Sequence, residues 1–208
     1  MTEKHPFVPA VIYGDFADPR SYLASLRVDA LLADGHPGLR WKSVQHRPSL
    51  PPGGVRLDGS AHSIRGAELR HACEVLVSGE RCDARNPAFL PHTGMAATVH
   101  ATAVQLGAGA EVRRLLFEAY WIRGLDISNS QIVRQIIKPF LERGYPDGSV
   151  KEQYLSLQIG AGHIARTWQR EWLSMGTPIE LTVVSPRHDA EYGIDALDRL
   201  RPTHQFAA

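Results

Sequence analysis

The pattern of apolar and polar positions divides the start of the chain into a strand, a helix and a second strand. Residues 8–16 (VPAVIYGDF) are apolar and rich in β-forming side chains, which predicts a buried strand. Asp18 followed by Pro19 is typical of a helix start, and apolar positions recur at helical spacing until Gly35. Residues 39–45 alternate as a strand does. This order predicts two parallel strands joined by a right-handed crossover.

The middle of the chain has mostly helical periodicity. After a Pro/Gly-rich loop at residues 48–59, five segments are predicted to be helices: 65–78, 94–106, 110–123, 130–143 and 150–175. Ser128 and Gln131 have the spacing of a capping box before the fourth of these helices. Gly160 and Gly162 are predicted to break or kink the last one.

The final segment returns to strand and helix patterns. Residues 178–184 predict a strand, residues 185–193 a turn or edge hairpin, and residues 194–200 a closing helix. The whole order indicates an α/β domain interrupted by a helical insertion. The predicted division is a discontinuous core and an inserted domain: residues 1–60 with 176–208, and residues 61–175.

Composition narrows the function classes. The 208 residues include 23 Lys and Arg against 22 Asp and Glu, a formal net charge of +1. That balance predicts neither a nucleic-acid partner nor binding to an anionic membrane. No apolar stretch approaches the length of a membrane span, and the N-terminal residues lack the pattern of a secretory signal. A cytoplasmic protein is expected.

The cysteines and histidines suggest neither a disulfide framework nor a metal site. Cys73 and Cys82 are nine residues apart, which does not match a redox Cys-x-x-Cys. We interpret Cys73 as a small buried hydrophobe, with a thiol pair moved to a new location as the alternative. The ten histidines form no H-x-x-x-H or H-E-x-x-H motif, so no metal is expected.

Four segments resemble one family in order along nearly the whole chain. Residues 13–27 (YGDFADPRSYLASLR) resemble the D-F-x-C-P-x-C-Y-L-G segment of DsbA-like oxidoreductases. They are closer to D-x-x-S-P-x-S-Y-L-A of 2-hydroxychromene-2-carboxylate isomerases and kappa-class glutathione transferases. Residues 90–97 (LPHTGMAA), 116–127 (LFEAYWIRGLDI) and 176–184 (GTPIELTVV) are similar to further motifs of that group. The resemblance implies an α/β thioredoxin-like core with an inserted all-α domain.

The departures from the family pattern lie at its active site. Asp18 stands where the oxidoreductases have their nucleophilic cysteine and where the isomerases and transferases have a serine that binds the thiol of glutathione. Ser21 matches the second serine of the isomerase pattern, and His92 replaces an asparagine. Without a thiolate no mixed disulfide can form, so dithiol exchange at this position is excluded.

The resemblance implies a groove between the start of the first helix and the last core strand. We predict Asp18 and Ser21 as catalytic residues, and four substrate-binding residues: Arg20, His92, Thr177 and a cis Pro178. Asp18 has two interpretations. It is a helix N-cap that stabilises by about 1 kcal/mol, or it is a carboxylate kept ionised by the helix dipole that accepts a proton from substrate.

Two functions follow from these residues. The first is a thiol-dependent isomerase or transferase acting on a small thiol or a carboxylate-bearing molecule. It would have no tightly bound cofactor, and its thiol would be glutathione or another low-molecular-weight thiol. The second is a catalytically inactive DsbA-like scaffold that binds a peptide or a metabolite. The resemblance also implies a homodimer.

Overall fold

The structure is a computed structural model that describes residues 10–36, 38–77, 80–144, 150–176, 179–187 and 189–200, with the backbone alone for 150–155. The strands are β1 (Ala10–Gly14), β2 (Leu39–Ser43), β3 (Val55–Arg56), β4 (Phe89–Leu90), β5 (Thr182–Val184) and β6 (Ala190–Tyr192). The helices are α1 (Pro19–Ala33), α2 (Gly59–Cys73), α3 (Gly94–Gln105), α4 (Gly109–Phe117), α5 (Ser130–Gly144), α6 (Val150–Ser174) and α7 (Gly193–Arg199). A π-helical turn, Glu118–Ile122, follows α4.

A mixed four-stranded sheet has the order β2-β1-β5-β6. Strand β1 runs parallel to β2, with Ile12 opposite Trp41, and antiparallel to β5, with Ile12 opposite Val183. Helix α1 connects the two parallel strands, as predicted, and α2 to α6 lie between β2 and β5 in the chain. Strands β3 and β4 form a separate antiparallel pair. The predicted α/β class is therefore confirmed.

Helix α1 begins and ends where the sequence predicts. Asp18 is its N-cap, Pro19 is its first residue, and Gly35 follows it with φ of +78°. Left-handed backbone at this place terminates a helix and is accessible to glycine without steric cost. Leu23 and Leu31 are buried on the face that packs on the core. The N-terminus of α1 is consequently held at a defined place beside the end of β1.

Helix α6 runs unbroken through Gly160 and Gly162, so the predicted break is wrong. Each glycine lowers helix propensity by about 1 kcal/mol relative to alanine, but packing overrides this. Ala161, between them, is fully buried in a cluster with Ala101 of α3 and Trp172 of α6. Small side chains at this place let α3 and α6 approach closely.

The predicted capping box before α5 is also wrong. Asn129 Oδ1 accepts a hydrogen bond from Gln131 N at 2.9 Å, whereas Ser128 Oγ donates to Asp126 Oδ1 at 2.5 Å. Asparagine and serine are comparably good caps. Because Asp126 binds the Ser128 hydroxyl, the capping position moves to the next residue.

The π-helical turn divides what the sequence predicts as one helix over residues 110–123. Within the turn the consecutive residues Ala119, Tyr120 and Trp121 are all fully buried. The turn directs both aromatic side chains inward, and Trp121 Nε1 donates to Phe16 O at 2.9 Å.

One hydrophobic core joins the sheet, α1 and the helices of the insertion, with a smaller cluster around Trp168 and Trp172. Both residues, with Tyr120 and Trp121, are buried in the core, while the side chain of Tyr154 lies outside the described residues. The domain division at 60/61 and 175/176 stays a prediction. Within the described residues, no helix combines the length and apolarity that crossing a bilayer requires.

His100 of α3 is a buried titratable group within this core. Its Nδ1 lies 3.0 Å from Ser43 Oγ, and its ring packs against Trp168. Burial, and secondarily the charge of Arg113, lower the pKa of His100 from 6.5 to about 3. The ring is therefore neutral in the folded state at any pH near neutrality.

Protonation of His100 in the unfolded chain should make stability depend on pH. Below the ordinary histidine pKa of 6.5, His100 is protonated in the unfolded state but stays neutral in the folded state. The free energy of unfolding therefore falls by about 1.4 kcal/mol for each pH unit between this value and the folded-state pKa. We expect His100 to contribute a loss of about 2 kcal/mol between pH 6.5 and about pH 5. Urea unfolding of the wild type and His100→Asn at both pH values checks this. Equal losses in the two proteins would contradict the prediction.

Candidate functional site

A cavity of about 210 Å³ opens at the N-terminus of α1. We call it the α1 cavity and define it by six of its lining residues: Asp15, Asp18, Arg20, His46, Arg65 and Glu180. They come from the turn after β1, the start of α1, the segment after β2, helix α2 and the segment before β5. Since the turn after β1 runs directly into α1, these segments are four separate parts of the chain, and they meet where the first helix begins.

Asp18 and Ser21 form a hydrogen-bonded pair at the start of α1. Asp18 Oδ2 accepts from Ser21 N at 2.9 Å and from Ser21 Oγ at 2.6 Å. Ser21 Oγ in turn accepts from Asp15 N at 3.1 Å. The carboxylate thus caps the helix and also receives the one proton of the serine hydroxyl.

The two predicted catalytic residues, Asp18 and Ser21, are hydrogen-bonded to each other, but only Asp18 lines the cavity. Ser21 is fully buried and is not among the described residues that line the α1 cavity, so it cannot touch a molecule there. Its hydroxyl proton is already donated to Asp18. Asp18 lines the cavity, and both of its bonds use Oδ2, while Oδ1 makes no hydrogen bond within the described residues. Ser21 positions a carboxylate whose second oxygen is left for a ligand.

Asp15 organises the turn that leads to this pair, a role that we did not predict. Its carboxylate is buried, with Oδ1 accepting from Ala17 N at 2.9 Å and Oδ2 from His46 N at 2.7 Å. The first bond is a local turn that aspartate commonly makes, and the second depends on how β1 and β2 pair. Asp15 thereby ties the β1–α1 turn to the segment after β2.

Arg20 lies on one wall of the cavity, as predicted, but it is engaged in an ion pair. Its Nη1 is 3.1 Å from Glu180 Oε2, and both side chains are 29% exposed. A pair this exposed stabilises by at most about 1 kcal/mol. The pair joins the first turn of α1 to the segment before β5 and is weak enough to exchange partners with a ligand.

Arg65 of α2 is a buried cation in the cavity wall that sequence reasoning missed. Its Nη1 donates to Glu68 Oε2 at 2.9 Å, and its guanidinium lies 4.9 Å from the ring centre of Trp121. Nε and Nη2 are buried and have no hydrogen-bond acceptor among the described residues. Arg47 completes the basic side, 3.7 Å from Glu68 Oε1 and half-exposed. Nothing in the local pattern of α2 distinguishes Arg65 from its exposed neighbours.

His46 was also missed. It follows β2, is buried, and its ring stacks on Trp172 with centres 5.2 Å apart and planes at 21°. Its Nε2 has no hydrogen-bond partner within the described part of the chain. His46 therefore lines the same cavity as Asp18, and one nitrogen of its imidazole makes no hydrogen bond to a described residue. The two residues are far apart in the sequence, so only the folded structure shows that they share a cavity.

The remaining predicted binding residues are only partly described. His92 is not among the described residues that line the cavity, and its substrate-binding role stays a prediction. The loop after β4 instead places His92 Nε2 3.2 Å from Gln45 Nε2. Thr177 and Pro178 lie outside the described residues, but the next two residues, Ile179 and Glu180, line the cavity.

Comparison with solved structures identifies the architecture. A probable DsbA oxidoreductase from Streptomyces coelicolor matches with a TM-score of 0.68 at 14% identity, over 93% of this chain and 86% of that one. This chain has the DsbA-like thioredoxin fold. The fold that the sequence resemblance implies is thereby confirmed.

Two other solved structures have the same DsbA-like fold. One is the cytosolic disulfide reductase DsbM from Pseudomonas aeruginosa, which matches with a TM-score of 0.57 at 13% identity over 88% of each chain. The same protein solved with GSH also matches. A 2-hydroxychromene-2-carboxylate isomerase matches with a TM-score of 0.53 at 17% identity, over 92% of this chain and 90% of that one. At these identities the likeness shows the fold alone. No family model and no curated protein matches the sequence.

This DsbA-like chain carries its thiols away from the α1 cavity. Cys73 ends α2 and Cys82 lies in the following loop, and neither is among the described lining residues. Burial, and secondarily a hydrogen bond with Cys82, raise the pKa of Cys73 to about 12. A protonated thiol is a poor nucleophile. Cys73 is half-buried against the core and its thiol is hydrogen-bonded to that of Cys82, so the buried hydrophobe and the relocated thiol pair both stay predictions.

Proposed function

We propose that this DsbA-like chain binds a small carboxylate-bearing molecule in the α1 cavity and acts on it by proton transfer at Asp18, without thiol–disulfide exchange. The observation that carries the proposal is that Asp18, whose Oδ1 makes no hydrogen bond to a described residue, lines one cavity together with the cations Arg47 and Arg65. Small thiols such as glutathione and hydroxychromene-type acids both have the required carboxylate. The reaction class is that of a thiol-dependent isomerase or transferase.

Each group in the cavity has a distinct task under this proposal. A guanidinium recognises a carboxylate through two parallel hydrogen bonds, so Arg47 and Arg65 hold the charged end of the ligand. The Asp18 carboxylate is the group that accepts a proton from a thiol or an acidic carbon. Ser21 is a positioning residue, because its hydroxyl holds Asp18 Oδ2 and so directs Oδ1.

A second candidate function is binding without catalysis. Asp18 Oδ2 is turned onto the amide and hydroxyl of its own helix, which is the geometry of a structural N-cap. The carboxylate would then serve stability, and the cavity would bind a metabolite or a peptide end in an inactive scaffold. The two candidates share the ligand site and differ only in whether Asp18 moves a proton.

Thermal unfolding in the presence of candidate ligands tests the shared site. Ligand at a hundred times its Kd stabilises by about 2.7 kcal/mol, which raises the Tm of a chain of this size by roughly 5–10 °C. We expect a saturable rise with glutathione, another small thiol or a hydroxychromene-type acid. Arg47→Gln should reduce the rise, whereas Arg70→Gln, an exposed change on α2 away from the cavity, should not. Flat curves with all three ligand classes would contradict a carboxylate site.

Turnover of the ligand that binds separates the two candidates. Asp18→Asn keeps an oxygen that can cap α1 but removes the base, so catalysis should fall about 100- to 10,000-fold with binding preserved. Ser21→Ala should shift the pH profile of turnover, because Asp18 loses its bond from the hydroxyl. Unchanged turnover in Asp18→Asn would rule out the catalytic role. Binding with no turnover in the wild type would favour the scaffold.

A further inference from the structure

A second and larger cavity, of about 470 Å³, lies between β2, the end of α1, and helices α3, α4 and α6. We call it the rear cavity and define it by Leu32, Arg40, Trp41, Val104, Arg113 and Trp168. It shares no described lining residue with the α1 cavity. Its volume is within the range of small-molecule sites in proteins, about 300–1,000 Å³. A ligand there would be independent of the proposed reaction at Asp18.

The walls of the rear cavity suit a flat apolar molecule. The indole rings of Trp41 and Trp168 line it, with aliphatic side chains that include Leu32 and Val104. These last two are 39% and 42% exposed, so the cavity wall leaves apolar surface in contact with solvent. Aromatic rings bury much area and stack favourably on tryptophan. Binding a planar aromatic group would cover the exposed apolar surface.

The charged side chains among the described lining residues of the rear cavity are all cations. Arg40, Lys42 and Arg113 are the charged side chains among its described lining residues, and no carboxylate is among them. Lys42 pairs with Glu171 at 2.5 Å and Arg113 pairs with Asp29, both carboxylates lying outside the lining. Arg40 is exposed and makes no ion pair with any described residue. Lys42 and Arg113 are neutralised by these partners, so the attraction of the cavity for an anion depends on Arg40.

Two N–H groups of the lining side chains are buried without a described acceptor. Trp41 Nε1 and Arg113 Nε make no hydrogen bond to any described residue, and their side chains are only 8% and 1% exposed. Buried donors are bonded in the great majority of cases, so each exception needs an explanation. Helix α4 also begins at the cavity, where Gly109 and Ala110 present its first amides. The first amides of α4 are therefore the donors in this wall that a ligand oxygen could meet.

We infer that the rear cavity is a binding site for a planar aromatic anion, such as an aromatic carboxylate. The ring lies between the indoles of Trp41 and Trp168, and the carboxylate faces Arg113 and the start of α4. Arg40 at the mouth supplies the unpaired positive charge. Neutral His100 adds no charge to the cavity, since burial lowers its pKa to about 3.

Isothermal titration of the full chain with 1-naphthoate tests the inference, with the neutral 1-naphthamide as the matched ligand. We expect saturable binding of the anion and at least about tenfold weaker binding of the amide. Arg40→Gln should weaken 1-naphthoate by about two- to fivefold, as for one solvent-screened charge. Arg123→Gln, an exposed change elsewhere, should leave the affinity unchanged. Equal affinity for the two ligands would overturn the anion site.

Blocking variants locate the ligand. Val104→Trp fills the rear cavity and should abolish binding, whereas Gln105→Trp, one residue further along α3 and not among the lining, should not. Asp18→Asn should bind 1-naphthoate as the wild type does. Loss of binding in Asp18→Asn, or its survival in Val104→Trp, would overturn the assignment. If sedimentation shows that the wild type is a dimer and that Val104→Trp is a monomer, this face binds a second copy of the chain, and the ligand site is overturned.

Discussion

Replacing Arg27 by alanine is expected to lower the free energy of unfolding by about 3–5 kcal/mol, the cost of breaking a buried ion pair by removing one partner. Arg27 lies on α1 and is 2% exposed. Its Nε and Nη2 bond the two carboxylate oxygens of Glu80 at 2.6 and 2.8 Å. It also donates to Val75 O at 3.0 Å and to Leu197 O. One side chain thus joins α1, the loop after α2, and α7.

Urea unfolding of three variants measures this contribution. Arg27→Ala removes the four hydrogen bonds that this buried side chain donates, although Glu80 keeps its bond from Val77 N, so its loss should be the largest. Arg27→Lys keeps the charge but not the planar fork of donors, and its loss should be intermediate. Arg70→Ala, exposed on α2, should change stability by less than about 0.5 kcal/mol. A loss in Arg27→Ala as small as that of Arg70→Ala would contradict the role of the network.

Replacing Trp121 by alanine is the second large expected effect, again about 3–5 kcal/mol. Trp121 is fully buried in the π-helical turn, stacks on Tyr22 with ring centres 5.9 Å apart, and contacts the Arg65 guanidinium. Its removal would leave a cavity that the surrounding helices and sheet cannot fill. It would also leave Phe16 O without its donor, two residues before Asp18.

Trp121→Phe separates packing from hydrogen bonding. It keeps most of the ring but not the Nε1 donor, so we expect a loss of about 1–3 kcal/mol from the buried Phe16 carbonyl. Denaturant unfolding of both variants measures the two losses, with Leu173→Ala, at a 56% exposed position, as the control that should change little. Similar stability of Trp121→Ala and Leu173→Ala would show that the turn does not anchor the insertion.

The start of α1 connects stability with the proposed chemistry. A helix N-terminus stabilises negative charge, whether it is a thiolate or a carboxylate. This DsbA-like chain has a carboxylate there, Asp18, where the family pattern has sulfur. The helix N-terminus thus still faces a negatively charged group, but a carboxylate cannot form the disulfide bonds that a thiolate forms. Acid–base chemistry or binding are the two uses of a carboxylate that the geometry supports.

Most of the fold was predictable because local chemistry specifies it. Asp18-Pro19 starts α1 and Gly35 ends it, and both effects act within a few residues. Alternation and helical spacing likewise predicted the parallel pair β1–β2 and the helices between β2 and β5. The predictions failed where tertiary packing outweighs local preference, as at the unbroken α6 and at the π-helical turn.

The candidate site was predictable only at its centre. The sequence by itself determined that Asp18 caps α1 and that no thiol stands beside it. Only the tertiary structure decided that Ser21 is buried, that His92 is not among the described lining residues, and that His46 and Arg65 complete the cavity. Capping and helix starts depend on neighbours in the chain, whereas a cavity wall depends on segments that folding brings together. Burial of a charge such as Arg65 leaves no periodic trace in the sequence, because its partners lie on other elements.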